Sequence, residues 1–136
     1  MKKLNRVVVT GYGLTSPIGN TPEEFWDSLV NGKIGIGKIT KFDTSEYSVH
    51  NAAEIKDFPF DKYYVKKDTN RYDNYSLYAL YAAREAVANA NIDTEAVESD
   101  RFGVILSTGI GGILEIEEQV ARMNEKGPKL IRPMRL

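Results

Sequence analysis

Arg6-Val-Val-Val-Thr-Gly-Tyr-Gly-Leu-Thr-Ser-Pro-Ile-Gly-Asn-Thr-Pro-Glu-Glu-Phe-Trp26 decides the fold class. Val7, Val8 and Val9 form a β-branched run that suits a strand buried on both faces. Gly11, Gly13, Pro17 and Gly19 then interrupt the chain. Thr21 suits an N-cap, Pro22 the first helical position, and Glu24 completes a Thr-x-x-Glu capping box. Phe25, Trp26, Leu29 and Val30 predict an apolar helix stripe, and Gly32 predicts its stop.

Further on, Ala52, Ala53, Glu54 and Ile55 suggest a short strand, while the three glycines between 32 and 37 read as loop. The stretch from Asp57 to Tyr64 contains Pro59 and reads as irregular or a single turn. A long helix is expected from about Tyr72 to Asn91. Tyr75, Ala79, Ala82, Ala86 and Ala90 recur on it at helical steps. Those small side chains would let another element approach closely. Leu77, Leu80 and Val87 widen the apolar surface, so most of it should be buried. Residues 92 to 97 read as a link with one helical turn. Phe102-Gly-Val-Ile-Leu-Ser107 reads as a second buried strand, followed by a glycine-rich loop to Gly112. A last helix carries Ile113, Ile116, Val120 and Met123 on one stripe. Glu118 and Arg122 are spaced for a surface ion pair, and Gly127-Pro128 should end the helix. Strands alternating with helices imply an α/β layered fold.

The 136 residues suffice for one domain with a real core. A net charge of −1 argues against a general nucleic-acid binder. The absence of cysteine removes disulfides, thiolate metal sites and cysteine nucleophiles, and fits a reducing compartment. Lys2, Lys3 and Arg6 precede only three valines, too short a run for a signal peptide. No segment approaches the ~20 apolar residues of a membrane span. The expected location is the cytoplasm, with no membrane, metal or cofactor partner.

Three motifs invite chemical readings. Gly11-x-Gly13 follows a strand signal, but Ser16 stands where a dinucleotide fingerprint needs its third glycine. The helix also starts too late, at Thr21, to offer its N-terminus to a pyrophosphate. A nucleotide-binding α/β domain would rest on these glycines alone. Ser107-Thr-Gly-Ile-Gly-Gly112 holds three glycines but no lysine, so it is not a P-loop. Lys62, Lys66, Lys67 and Arg71 lie among Tyr63, Tyr64, Tyr72 and Tyr75. That mixture reads as a solvated helix entry or as a nucleic-acid patch with stacking aromatics. His50, the only histidine, has no partner pattern around it and reads as structural or exposed.

The opening stretch resembles the amino terminus of the β-ketoacyl-acyl-carrier-protein synthases, most closely the elongating bacterial type II members. The resemblance continues through Gly35-Ile-Gly-Lys-Ile-Thr-Lys-Phe-Asp43, Lys66-Lys67, Asp73, Ser107-Thr-Gly-Ile-Gly-Gly112 and Lys126-Gly-Pro-Lys129. It covers essentially residues 1–136, and its motifs stand in the family's order. It implies a thiolase-like fold, a mixed sheet between helices, with only part of the first half present here. The implied reaction condenses acyl groups with malonyl-carrier-protein. The family's nucleophilic cysteine and two catalytic histidines match no position of this sequence, so no catalytic residue is assigned. Ile110 matches the isoleucine that borders and gates the fatty-acyl pocket. Lys67 and Arg71 match docking positions for the acidic acyl carrier protein, and Lys129 matches a second cluster. Asn70 and Leu130 stand where basic residues are common, which weakens or rearranges that patch. Arg132 and Arg135 are candidates to compensate. A homodimer is expected for the complete enzyme. The alternative is a non-catalytic module, a truncated paralogue that binds carrier protein or a partner subunit.

Overall fold

The computed structural model describes residues 5–65 and 72–131. Its elements, in chain order, begin with helix α1 (Pro22–Val30), strand β1 (Ile36–Lys38) and strand β2 (Asn51–Ala53). Helix α2 (Asn74–Asn89) and helix α3 (Ile113–Lys126) follow. Short 3-10 turns lie at Phe60–Lys62, Ser99–Arg101 and Pro128–Leu130. The chain divides into two compact units. One comprises Met1–Phe58 with Ala82–Val97, the other Pro59–Tyr81 with Glu98–Leu136.

In the first unit, α1 starts and stops as its residues dictate. Thr21 has extended backbone angles, and its side chain accepts the Glu24 N–H at 3.2 Å. Glu24 reaches back one residue further than a capping box requires, accepting the Asn20 N–H at 2.8 Å. At the other end Gly32 has φ +66. The Gly32 N–H bonds Leu29 O at 3.1 Å and the Lys33 N–H bonds Ser28 O at 2.8 Å, a Schellman termination. The expected apolar stripe does not become a buried face. Trp26, Leu29 and Val30 are exposed, and Ser28 is the buried residue of the helix. A helix buries only what a neighbour covers, and among the described residues the neighbour lies on the Ser28 side.

Strand β1 falls partly where the glycines at 35 and 37 read as loop. It pairs antiparallel with β2, with Ile36 opposite Ala53, Gly37 opposite Ala52 and Lys38 opposite Asn51. The Ile39 N–H extends the pairing to His50 O at 2.9 Å. The link between the strands is held by edge-to-face rings of Phe42 and Tyr47, 5.7 Å apart. Thr44 Oγ1 pairs with His50 Nδ1 at 3.2 Å, so the single histidine serves as an exposed structural tie.

The strands expected at residues 7–9 and 102–107 are not formed. Neither segment has a ladder partner among the described residues, and their apolar side chains stand exposed, Val7 at 89% and Ile105 at 96%. A strand buried on both faces needs neighbours on both edges and a layer on each face. The only sheet among the described residues is β1–β2.

The small-residue stripe of α2 does what its composition implies. Within the first unit, the segment at residues 11–13 lies flush on the helix. A methyl group on Gly11 would stand 2.6 Å from both the Ala90 Cβ and N. One on Gly13 would stand 2.6 Å from Ala86 N. The Tyr12 N–H donates to Asn89 Oδ1 at 3.2 Å. Gly11 and Gly13 are therefore packing glycines, and no space for a pyrophosphate remains beside them.

In the second unit the core is Leu77 and Tyr81, both fully buried, with Tyr64. The Tyr64 hydroxyl donates to Leu77 O at 2.8 Å. Tyr63 meets the Tyr81 ring edge-on at 5.5 Å, and the Lys62 ammonium lies over both rings at 5.3 and 5.7 Å. Of the stretch expected to be irregular or a single turn, Phe60–Lys62 forms one 3-10 turn. Helix α3 ends at Gly127, φ +81, whose N–H bonds Met123 O. The spacing of Glu118 and Arg122 produces no ion pair. Arg122 Nε is enclosed without a hydrogen-bond partner, and Glu115 instead accepts from Gln119 at 2.8 Å.

Replacing Gly11 or Gly13 with Ala should lower stability by ~1–3 kcal/mol, because helix backbone cannot yield to an added methyl. Gly37→Ala meets nothing within 4 Å and serves as the control. Urea midpoints decide: equal losses at all three positions would contradict the close approach.

Candidate functional site

The site candidates fall into two groups, each within one unit. In the second unit, the 107–112 loop leads into α3. Thr108 Oγ1 accepts the Gly111 N–H at 3.1 Å, closing a tight turn in which Gly111 has φ +81. Few side chains adopt that conformation, which accounts for glycine there. Gly112 is the N-cap of α3 and supplies no side-chain cap. A methyl on it would stand 2.9 Å from Asp73 Oδ2 and 3.2 Å from Tyr75 Cε1.

Asp73 is also the N-cap of α2. Its carbonyl accepts the Leu77 N–H at 3.2 Å, and its Oδ1 accepts the Tyr75 N–H at 3.4 Å. Tyr78 has its phenol pKa pushed up, first by burial and then by the Asp73 charge. Asp73 was legible only as part of a resemblance. The signal for its role was an acidic residue one position before a helix, facing a glycine pair 38 residues later. Sequence separation hid that second contact.

An apolar cavity of about 380 Å³ opens beside the loop. Tyr72, Tyr75, Ala79, Leu80 and Leu106 give it its apolar wall, and Ser107 and Thr108 bring the loop into that wall. Ile110 stands two residues beyond the last lining residue and is 72% exposed. Lys129 is exposed on the turn that follows α3. Lys67 and Arg71 lie outside the described residues, as do Asn70, Arg132 and Arg135.

The first unit holds a more polar cavity of about 520 Å³. Lys33, Lys56, Glu24, Asp27, Glu54 and Asp57 all contribute to its lining. Asn20 ties its walls together: its Nδ2 donates to Lys56 O and Asp57 O at 3.3 and 3.4 Å. Glu54 accepts the Thr40 hydroxyl at 2.7 Å and the Thr40 N–H at 3.0 Å. These bonds, the hydroxyl first, hold its carboxyl below the usual glutamate range. Asp43 is lowered in the same way by the Ser45 N–H and hydroxyl. Among the described residues no group of His, Asp or Glu is arranged to hold a metal ion, and no helix is long and apolar enough to cross a membrane.

Solved structures place this arrangement in a class. The ishigamide ketosynthase/chain length factor matches with a TM-score of 0.70 and 28% identity, over 93% of this chain and 32% of that one. A type II polyketide ketosynthase, solved in complex with its acyl-carrier protein, matches with a TM-score of 0.66 at 22% identity, a likeness of fold. The fold is thus part of the thiolase-like ketosynthase architecture. Residues 4–135 match the model of the β-ketoacyl synthase N-terminal domain, and the chain belongs to that family. The 3-oxoacyl-[acyl-carrier-protein] synthase 2 of Staphylococcus aureus (strain COL) is 42% identical over 98% of this chain. That of Synechocystis is 38% identical over 94%. The chain spans about a third of the length of these relatives, 32% and 31%.

The Glu54 bonds generate a pH test. A carboxyl whose pKa is depressed by folding contributes stability that is present above its unfolded pKa. That contribution is lost as pH falls through the folded pKa. Thr40→Val removes the stronger bond, so the Glu54 carboxyl titration should move up toward the usual glutamate range. An unchanged Glu54 titration curve, followed by carboxyl-carbon NMR, would show that the Thr40 hydroxyl does not hold it.

Proposed function

We propose that this chain is the amino-terminal portion of a 3-oxoacyl-acyl-carrier-protein synthase that elongates fatty acids in the cytoplasm. The observation that carries the reading is 42% identity sustained across 98% of the chain. Its relative is named for that activity. In the proposed reaction an acyl group passes from the carrier thioester to a cysteine thiolate, releasing the carrier thiol. Malonyl-carrier-protein loses CO2, and the resulting carbanion attacks the acyl thioester, releasing the cysteine. That sequence needs an activated thiol. The 136 residues contain no cysteine and a single histidine, which is exposed and tied to Thr44. The nucleophile and the catalytic histidines therefore have to come from outside these residues. On this reading the chain supplies scaffold, carrier docking and part of the acyl-pocket wall, within a homodimeric complete enzyme.

Ile110 is assigned to the acyl pocket. Its support is an apolar side chain held on a glycine-flanked loop whose base lines an apolar cavity, the wall chemistry an alkyl chain requires. Lys67, Arg71 and Lys129 are assigned to docking of the acidic carrier protein, because they match the family's basic positions and one related ketosynthase was solved with its carrier bound. The lack of cysteine equally favours a second reading, a non-catalytic module that binds carrier protein or a partner subunit.

The pure, mass-verified chain should show no condensation of acyl- and malonyl-carrier-protein. Turnover above a buffer blank would overturn the assignment of the nucleophile to residues outside this chain. The intact mass of the native gene product separates the two readings: a mass near that of the relatives favours the enzyme, a mass near 15.3 kDa the module.

Charge reversal tests the docking surface. In the complete enzyme, Lys67→Glu with Arg71→Glu should slow carrier association and flatten its salt dependence, since exposed charges are screened over ~8–10 Å. Carrier association rates that stay unchanged across a salt series would return these residues to a solvated helix entry. Tighter binding of single-stranded nucleic acid than of carrier protein would assign them to the patch reading.

A further inference from the structure

The three glycines of the 107–112 loop do not have equal surroundings. A methyl on Gly109 would meet nothing within 4 Å, and Ile110 beside it is exposed. Gly111 is turned into the left-handed region, φ +81, with its N–H closed onto Thr108 Oγ1. A methyl on Gly112 would stand 2.9 Å from Asp73 Oδ2 and 3.2 Å from the Tyr75 ring, so a side chain there would have to displace the carboxylate. The loop therefore has an open half, residues 109–110, and a seated half, residues 111–112.

Asp73 builds the seat. One carboxylate oxygen caps the first turn of α2 through the Tyr75 N–H. The other lies where a Gly112 side chain would stand, beside the N-cap of α3, which brings no side-chain cap of its own. A carboxylate there also opposes the partial positive charge of the α3 N-terminus. The same side chain thus caps α2 and packs against the N-cap of α3. The Ile116 N–H to Gly112 O bond, 3.1 Å, carries the fixed point into the body of α3.

We propose that Asp73 is a positioning residue for the 107–112 loop: it pins the end that enters α3, so that displacement of the loop is confined to residues 109–110. This rests on the reading that Ile110 borders the acyl pocket. It adds the part of the chain that holds the gate's fixed end and sets how far Ile110 can travel. With the seat loosened, Ile110 is no longer held to one range of positions, and discrimination between short and long acyl chains falls.

The readout is the ratio of acylation rates for a short and a long acyl-carrier-protein, measured in the complete, cysteine-bearing enzyme. Asp73→Ala removes the cap, and Gly112→Ala pushes the carboxylate out of its place. Each should change the ratio about fivefold, the rate equivalent of a typical lost cap. Asp73→Asn keeps the shape and an equally good cap, so it should stay within about twofold of the parent ratio. Melting temperatures identify any variant that fails to fold. If Asp73→Ala is lost in that way, Gly112→Ala and Asp73→Asn still decide.

Ile110→Phe separates this inference from the reading beneath it. A ratio that responds to Ile110→Phe but not to folded Asp73→Ala or Gly112→Ala would overturn the positioning role alone. Equal loss at every chain length in those two variants would reduce Asp73 to a structural cap. A ratio unmoved by every variant, Ile110→Phe included, would remove Ile110 from the pocket and this proposal with it.

Discussion

The seating of the 11–13 segment on the alanine face of α2 is the constraint on which the first unit depends. Gly11 and Gly13 have no side chains, and Ala86 and Ala90 have almost none, so backbone meets backbone at van der Waals distance. Such contacts gain dispersion over many atoms at once, and nothing larger than hydrogen can be inserted without moving the helix. The same packing removes the nucleotide reading. A glycine turn that cradles phosphate must leave its N–H groups facing open space, whereas this one faces a helix and gives the Tyr12 N–H to Asn89.

The apolar surface left exposed is as informative as the surface that is buried. Each valine or isoleucine standing in water forgoes about 1.5–3 kcal/mol of burial. The first unit carries Val7, Val8 and Val9 in this state, and the second carries Val104, Ile105 and Leu106. These are unpaired β-branched or aliphatic runs, the composition of strands covered on both faces. Exposed runs of this kind promote association. In the proposed enzyme they would be covered by sheet neighbours.

How much of this was legible depends on how local the deciding interaction is. The cap at Thr21, the termination at Gly32, the small stripe of α2 and the stop at Gly127 were all readable, because each is fixed within a few residues. β1 was hidden because Gly35 and Gly37 carry loop composition, and its strand character comes from pairing with Ala52 and Ala53 across the hairpin. The α1 stripe misled in the opposite direction. Periodicity located Trp26, Leu29 and Val30 on one side of the helix, but which side is covered depends on residues far along the chain. Glu118 and Arg122 had the right spacing for an ion pair, yet an exposed pair of that type is worth only about 0.2–0.5 kcal/mol. Spacing that weak does not decide a rotamer. Of the candidate site, the glycine loop and Ile110 were visible as a motif, while the contact between Asp73 and Gly112 was not.

A wall residue of an alkyl pocket has to be apolar, and it gains from burial only when a chain or an opposing wall covers it. Ile110, proposed as such a wall residue, stands exposed on a loop whose far end, Gly112, packs against Asp73 and Tyr75. For the proposed gate, the open space at Gly109 leaves room for movement, and the packing of Gly112 against Asp73 would set its limit.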